Sequence, residues 1–171
     1  MTSGSHTDIT DSTAQATVDA PLRLWLKPNA PPTGHVDGAW WPRSRTLTDE
    51  LAALTDVLTS RLGPVTRVAF AADAWHPVAV ADRAVRLTAL RPREKNIVRV
   101  SGSDGRQLTL LVVPPEAPAE AGHDAVMLAA RRANSAEPAD ILAAAGLLPV
   151  VPQQKVHRAW RPRLRTRHPH R

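Results

Sequence analysis

The residues with the most chemical capacity in this chain lie together. Asp37-Gly38-Ala39-Trp40-Trp41-Pro42-Arg43-Ser44-Arg45 sets a carboxylate, two indoles and two guanidiniums within nine positions, just ahead of a strong helix signal. A helix start offers free N–H groups and the positive end of the helix dipole. Arg43 and Arg45 bring two planar forks that match phosphate or carboxylate. Trp41 can stack on a ring. Asp37, Trp41, Arg43 and Arg45 are therefore the expected pocket for an anionic ligand. The same residues also have a packing role open to them. The chain has five Trp, one Phe and no Tyr, so its aromatic core has to be built from Trp. Asp37 can pair with Arg43 or Arg45, or close the turn before Gly38.

Other candidates carry less. Asp73 and His76 stand three apart, within reach as an acid–base pair, but no nucleophile, serine elbow or phosphate-cradling glycine loop accompanies them. His157, His168 and His170 lie in a basic tail, where unfixed imidazoles bind metal weakly. No spacing signals a dedicated metal centre, and no cofactor is expected.

The tail itself is distinctive. Beyond residue 152 there are seven Lys/Arg and no acid, leaving 15 basic against 16 acidic side chains in the rest of the chain. The net charge of +6 is thus a property of the tail. Arg158, Arg161, Arg163, Arg165 and Arg167 can each meet a phosphate, and Trp160 can stack on an unpaired base. Neutralising about five to seven phosphates gives a log–log salt slope near −4 to −6. The same charge would adhere to anionic lipid. Arg, Ala and Pro are all encoded by GC-rich codons, so genome composition accounts for part of the bias.

These groups must be positioned by the elements around them. Residues 1–20 read as a disordered leader and 149–171 as a disordered basic tail, which leaves 21–148 as one α+β domain. Leu22, Leu24 and Leu26 alternate with Arg23, Trp25 and Lys27, the pattern of a strand with one buried face. Val36 to Trp41 reads as a second strand, with Val36 and Trp40 on one side and Asp37 and Trp41 on the other. Leu47, Leu51, Leu54, Leu58 and Leu62 form one stripe of a helix over 46–62. Thr46 with Asp49 resembles a capping box, and Gly63-Pro64 ends the helix.

Strands follow at 65–72 and 85–90, then a hairpin of 97–101 and 106–113 around Gly102-Ser103-Asp104-Gly105. Helices are expected at 119–133, weakened by Gly122, and from Ser135 to Ala145. The order favours a mainly antiparallel sheet of five or six strands, packed on one face by one long and two shorter helices.

Leu22-Arg23-Leu24, Lys27-Pro28, Gly34 and the stretch from Asp37 to Arg45 resemble an actinomycete family of small uncharacterised proteins, catalogued as a domain of unknown function. Leu47 to Leu62, Gly63, Val65-Thr66-Arg67-Val68, Trp75 and Leu110-Leu111-Val112-Val113-Pro114-Pro115 extend the resemblance over roughly residues 21–147. It implies a cytoplasmic actinobacterial protein and carries no activity with it. There is no cysteine, no signal-peptide pattern in the leader and no apolar run near the ~18 residues that span a bilayer. Together these features point to a non-enzymatic binding or regulatory module with an anionic partner. The alternatives are non-specific nucleic-acid binding by the tail, and a small-ligand or enzyme site at the Trp/Arg junction.

Overall fold

The computed structural model describes residues 21–28, 34–78 and 85–149. They form an α+β domain with a six-stranded mixed sheet. The strands are β1 (Leu24–Leu26), β2 (Gly38–Trp40), β3 (Val65–Phe70), β4 (Arg86–Ala89), β5 (Ile97–Gly102) and β6 (Gln107–Val112). The helices are α1 (Leu47–Leu62), α2 (Ala119–Ala130) and α3 (Pro138–Ala144). In space the strands run β1-β2-β6-β5-β3-β4. β2 pairs with β6, and β3 with β4, in parallel, while the other three interfaces are antiparallel. It follows that β2, β6, β3 and β4 all point one way, with β1 and β5 opposed.

The helices do not share one face, as the element order suggests they should. The leucine stripe of α1 packs with Trp40, Val68, Val98, Val100 and Leu110 on one side of the sheet. α2 and α3 pack with Ala39, Trp41, Ile97, Leu111 and Val113 on the other. The alternation along β6 explains the double burial. Leu110 and Val112 feed the first core, Leu111 and Val113 the second. A strand covered on both faces has to be apolar throughout, which is why 108–113 reads as a continuous run.

β1 is likewise covered on both faces. Alternation places Trp25 and Lys27 toward water, yet Trp25 packs into the second core and Lys27 is only 8% exposed. Lys27 Nζ donates to the Asn134 carbonyl at 2.7 Å. Burial lowers its pKa, opposed by the nearby Asp37 charge.

The second strand is shorter than the pattern implies, and Val36 lies in the core with Trp41 rather than with Trp40. The chain leaves the ladder at Asp37, so period-2 counting fails across that residue.

Two expected caps are replaced. Thr46 makes no side-chain cap bond, and Asp49 N donates to its carbonyl instead. Glu50 reaches back, where its Oε1 accepts from the backbone N–H of Arg43 and Ser44 at 3.1 and 2.9 Å. The last helix starts at Pro138 with Glu137 as its cap residue, not Ser135. Proline suits the first helical turn because its missing N–H would have been unpaired there. The 119–133 helix stops at Ala130, where the Arg131 backbone turns extended.

Gly63 ends α1 at φ +64°. Gly122 is the position where the sequence pattern misleads. A Cβ there would overlap the six-membered ring of Trp41. The glycine is what lets α2 lie flat on that indole.

Candidate functional site

Asp37, Trp41, Arg43 and Arg45 do not converge on one pocket. Asp37 precedes β2 and Trp41 follows it, so four residues of extended chain, about 13 Å, separate them. Asp37 works as a ladder element. Its N–H donates to the Thr109 carbonyl at 2.7 Å, and its Oδ2 accepts from Thr109 N at 2.8 Å. The side chain thereby extends the β2–β6 pairing beyond the strand. Asp37→Ala is expected to cost about 1–3 kcal/mol by stranding the Thr109 N–H. Asp37→Asn, which keeps an acceptor oxygen, should lose well under half of that in urea denaturation.

Trp41 is enclosed. Its Nε1 donates to the Pro114 carbonyl at 3.1 Å, Gly122 covers part of the ring, and the Arg23 guanidinium stands 4.0 Å from the ring centroid. Arg23 also donates to the carbonyls of Trp41 and Pro42 at 3.0 and 2.6 Å. Burial, then the charge of Arg43, lowers the Arg23 pKa. Strand alternation puts Arg23 on a solvent face and so misses this role. The clue available is a cation on the neighbouring strand, two residues from another Trp.

Arg43 is exposed and donates to the Pro21 carbonyl at 3.0 Å. Glu50, Asp49 and the backbone thus occupy the helix start that two arginines flank. Arg45 differs from the other three, since it reaches a cleft. Its Nε and Nη2 bind both carboxylate oxygens of Glu116 at 2.6 and 2.8 Å, and Nη1 donates to the Ala74 carbonyl at 2.7 Å. The guanidinium, first of several influences, holds the Glu116 carboxyl below its usual pKa. Beneath lies a cleft of about 90 Å3 lined by Pro42, Trp75, Asn96, Ile97, Val112 and Pro114, among others.

Asp73 and His76 do not face each other. Asp73 lies 3.8 Å from Lys95 Nζ, and His76 Nδ1 lies 3.5 Å from the Thr46 hydroxyl. Among the described residues there is no group of three or more potential metal ligands, and no helix is long and apolar enough to cross a membrane. Arg158, Trp160, Arg161, Arg163, Arg165 and Arg167 lie outside the described residues, as do residues 1–20.

Sequence reasoning misses a second basic surface. α2 packs on β1 and β2 and α3 reaches Ile97 at the start of β5, so among the described residues no helix packs on the part of that sheet face over β3 and β4. Arg67 and Arg86 are register partners across the β3–β4 pair, and both are exposed. Ala69 and Arg99 are partners across β3–β5, which sets Arg99 diagonal to Arg67, about 7–8 Å away. Arg67 and Arg99 line a trough of about 260 Å3 with Thr88, Arg91, Glu94 and Ser101, and Arg86 stands beside Arg67 at its edge. Among the described residues Arg67 and Arg86 make no ion pair or side-chain hydrogen bond. Arg99 Nη2 binds Glu94 at 2.8 Å, but its Nε is buried without a partner. Arg99 also borders a wider cleft of about 720 Å3 that includes Arg93, Lys95, Glu137 and Leu148. The three arginines sit on three adjacent strands and are scattered along the chain, so no local pattern reveals them.

A two-core α+β sheet with a tied-down Trp/Arg junction and a bare arginine face is the class of protein this chain defines. It belongs to a family of unknown function, DUF5994, whose profile matches residues 23–129. The matched span runs from β1 to the end of α2 and leaves α3 outside. Nothing among curated proteins matches the chain significantly, and nothing among solved structures does.

Proposed function

We propose that this protein works by binding rather than catalysis, and that its partner is the phosphate backbone of nucleic acid, held on the bare part of the sheet. The carrying observation is the Arg67–Arg86 register pair with Arg99 diagonal to it. Like charges placed directly opposite on a sheet are unfavourable. Glu94 answers Arg99 at one nitrogen, but among the described residues the buried Arg99 Nε lacks an acceptor and the Arg67–Arg86 pair has no counter-charge, which breaks a local rule. An anion supplies that counter-charge. Guanidiniums with Thr88 and Ser101 beside them suit phosphate oxygens.

By strand alternation this face carries no aromatic side chain among the described residues, so base stacking is absent from it. That favours a backbone-tracking, sequence-independent mode. The described chain ends beside Leu148, which borders the same basic cleft. The seven Lys/Arg beyond residue 152 add charge of the sign that the same polyanion calls for. A cytoplasmic location fits such a partner.

Anisotropy of a labelled duplex of about 20 base pairs, titrated with the full chain at several salt concentrations, tests this. Arg67→Gln/Arg86→Gln is expected to weaken binding and make the log–log salt slope shallower by about two, one for each phosphate no longer neutralised. The same variant should melt no lower than wild type, because a repulsive pair has gone. An unchanged slope would assign the binding to the tail alone. Equal retention on anionic vesicles and on duplex would mark the attraction as bulk charge.

A further inference from the structure

A second site follows from the topology and does not depend on the arginine face. β2 and β6 are adjacent and parallel, yet their chains depart to opposite sides of the sheet. After β2 the chain enters α1 over the first core, and after β6 it enters α2 over the second. Diverging connections leave a crevice beyond the carboxyl ends of such strands, and sheets of this kind bind ligands there. The 90 Å3 cleft lies at that point, between Pro42 on one connection and Pro114 and Pro115 on the other.

We propose that this crevice binds a short-chain carboxylic acid, its apolar body against Trp75, Ile97 and Val112 and its carboxylate on Arg45. The floor is apolar apart from Asn96 and the backbone, which calls for a hydrocarbon body. Its volume is room for a few atoms rather than a nucleotide; a water needs ~10–15 Å3 on this measure. Among the described residues Arg45 is the cation that lines the cleft, and three of its five N–H donors are engaged. Arg45 is held in place from two sides, by the Ala74 carbonyl and by Glu116.

Glu116 is the internal stand-in for the ligand. It presents to the guanidinium the bidentate carboxylate that a bound acid would present. The pair is largely exposed, with side-chain accessibilities of 38% and 61%, so it is weak and readily displaced. A ligand that also buries a hydrocarbon body competes with it. Glu116 then sets affinity, and the Pro114–Glu116 connection is the part that yields.

The probes are isobutyrate and its uncharged isostere isobutyramide, titrated into 15N-labelled full-length protein. Saturable shifts of the Trp75 indole and of the Ala74 and Asn96 amides are expected with isobutyrate and not with isobutyramide. Glu116→Gln should tighten isobutyrate binding about two- to five-fold by removing the internal competitor. Arg45→Gln should abolish it. Glu116→Gln leaves the packed elements untouched, so it stays informative if Arg45→Gln fails to fold. Equal response to acid and amide, equal response of folded Arg45→Gln, or no saturable shift in either wild type or Glu116→Gln would each overturn the assignment.

Discussion

Trp40→Ala is expected to lower the unfolding free energy by about 3–5 kcal/mol, the range for emptying a buried Trp site. Trp40 is 0% exposed. It stacks on Trp75 with ring centroids 5.3 Å apart and planes at 21°. It stands where β2 meets the leucine face of α1, so the cavity would open at the centre of the first core and could not close from the surface. For a domain of this size a loss of that order consumes a large part of the total stability. The companion variant separates packing from polarity. The Trp40 Nε1 is buried with no hydrogen-bond partner among the described residues, a standing cost of about 1–3 kcal/mol. Trp40→Phe removes that N–H while keeping a ring against Trp75. It should therefore lose far less than the alanine variant, by at least half in urea denaturation. Equal losses in the two variants would mean that the phenylalanine ring recovers none of the packing against Trp75.

Gly122→Ala is expected to destabilise by about 1–3 kcal/mol although it improves helix propensity by about 1 kcal/mol. The added methyl would overlap the Trp41 ring, and that ring has nowhere to go. Arg23 lies over it, its Nε1 is fixed on Pro114, and both flanking layers are packed. α2 would have to lift from β2, separating the second core. In urea denaturation the midpoint should fall. A rise would show that α2 tolerates the shift and that the glycine is incidental. Paired with Trp41→Phe, the alanine should lose less than the sum of the two singles, because a smaller ring leaves room for the methyl.

How much of this is legible in the sequence follows from where each signal lives. The α1 stripe and its glycine stop are readable because helical spacing is local and the leucines fall every three or four residues. The 97–113 hairpin is readable for the same reason. β1 and β2 are recognisable as strands, but their faces are not. Alternation assumes that one face meets water, and here a helix covers each. Gly122 looks like a weak point of a helix, since nothing in its neighbourhood tells of an indole far earlier in the chain. Composition finds the Trp/Arg junction, yet not the roles within it. Asp37 completes a ladder, Trp41 fills a core, and Arg45 alone reaches a cleft. The Arg67–Arg86–Arg99 face is invisible in one dimension, because it exists only once β3 lies between β4 and β5.

The strand order also carries a consequence in time. β1 and β2 form a hairpin-like pair near the start of the chain, while β3, β4 and β5 form another unit. Within the sheet their sole bridge is β6, with β2 on one side and β5 on the other. The pairing of Trp40 with Val112 closes a loop of about 70 residues, an entropic cost incurred before the pairing can offset it. Folding thus waits on β6. On the ribosome, β2 would remain without its inner neighbour until residue 112 emerges, so the tryptophan-rich segment is exposed longest.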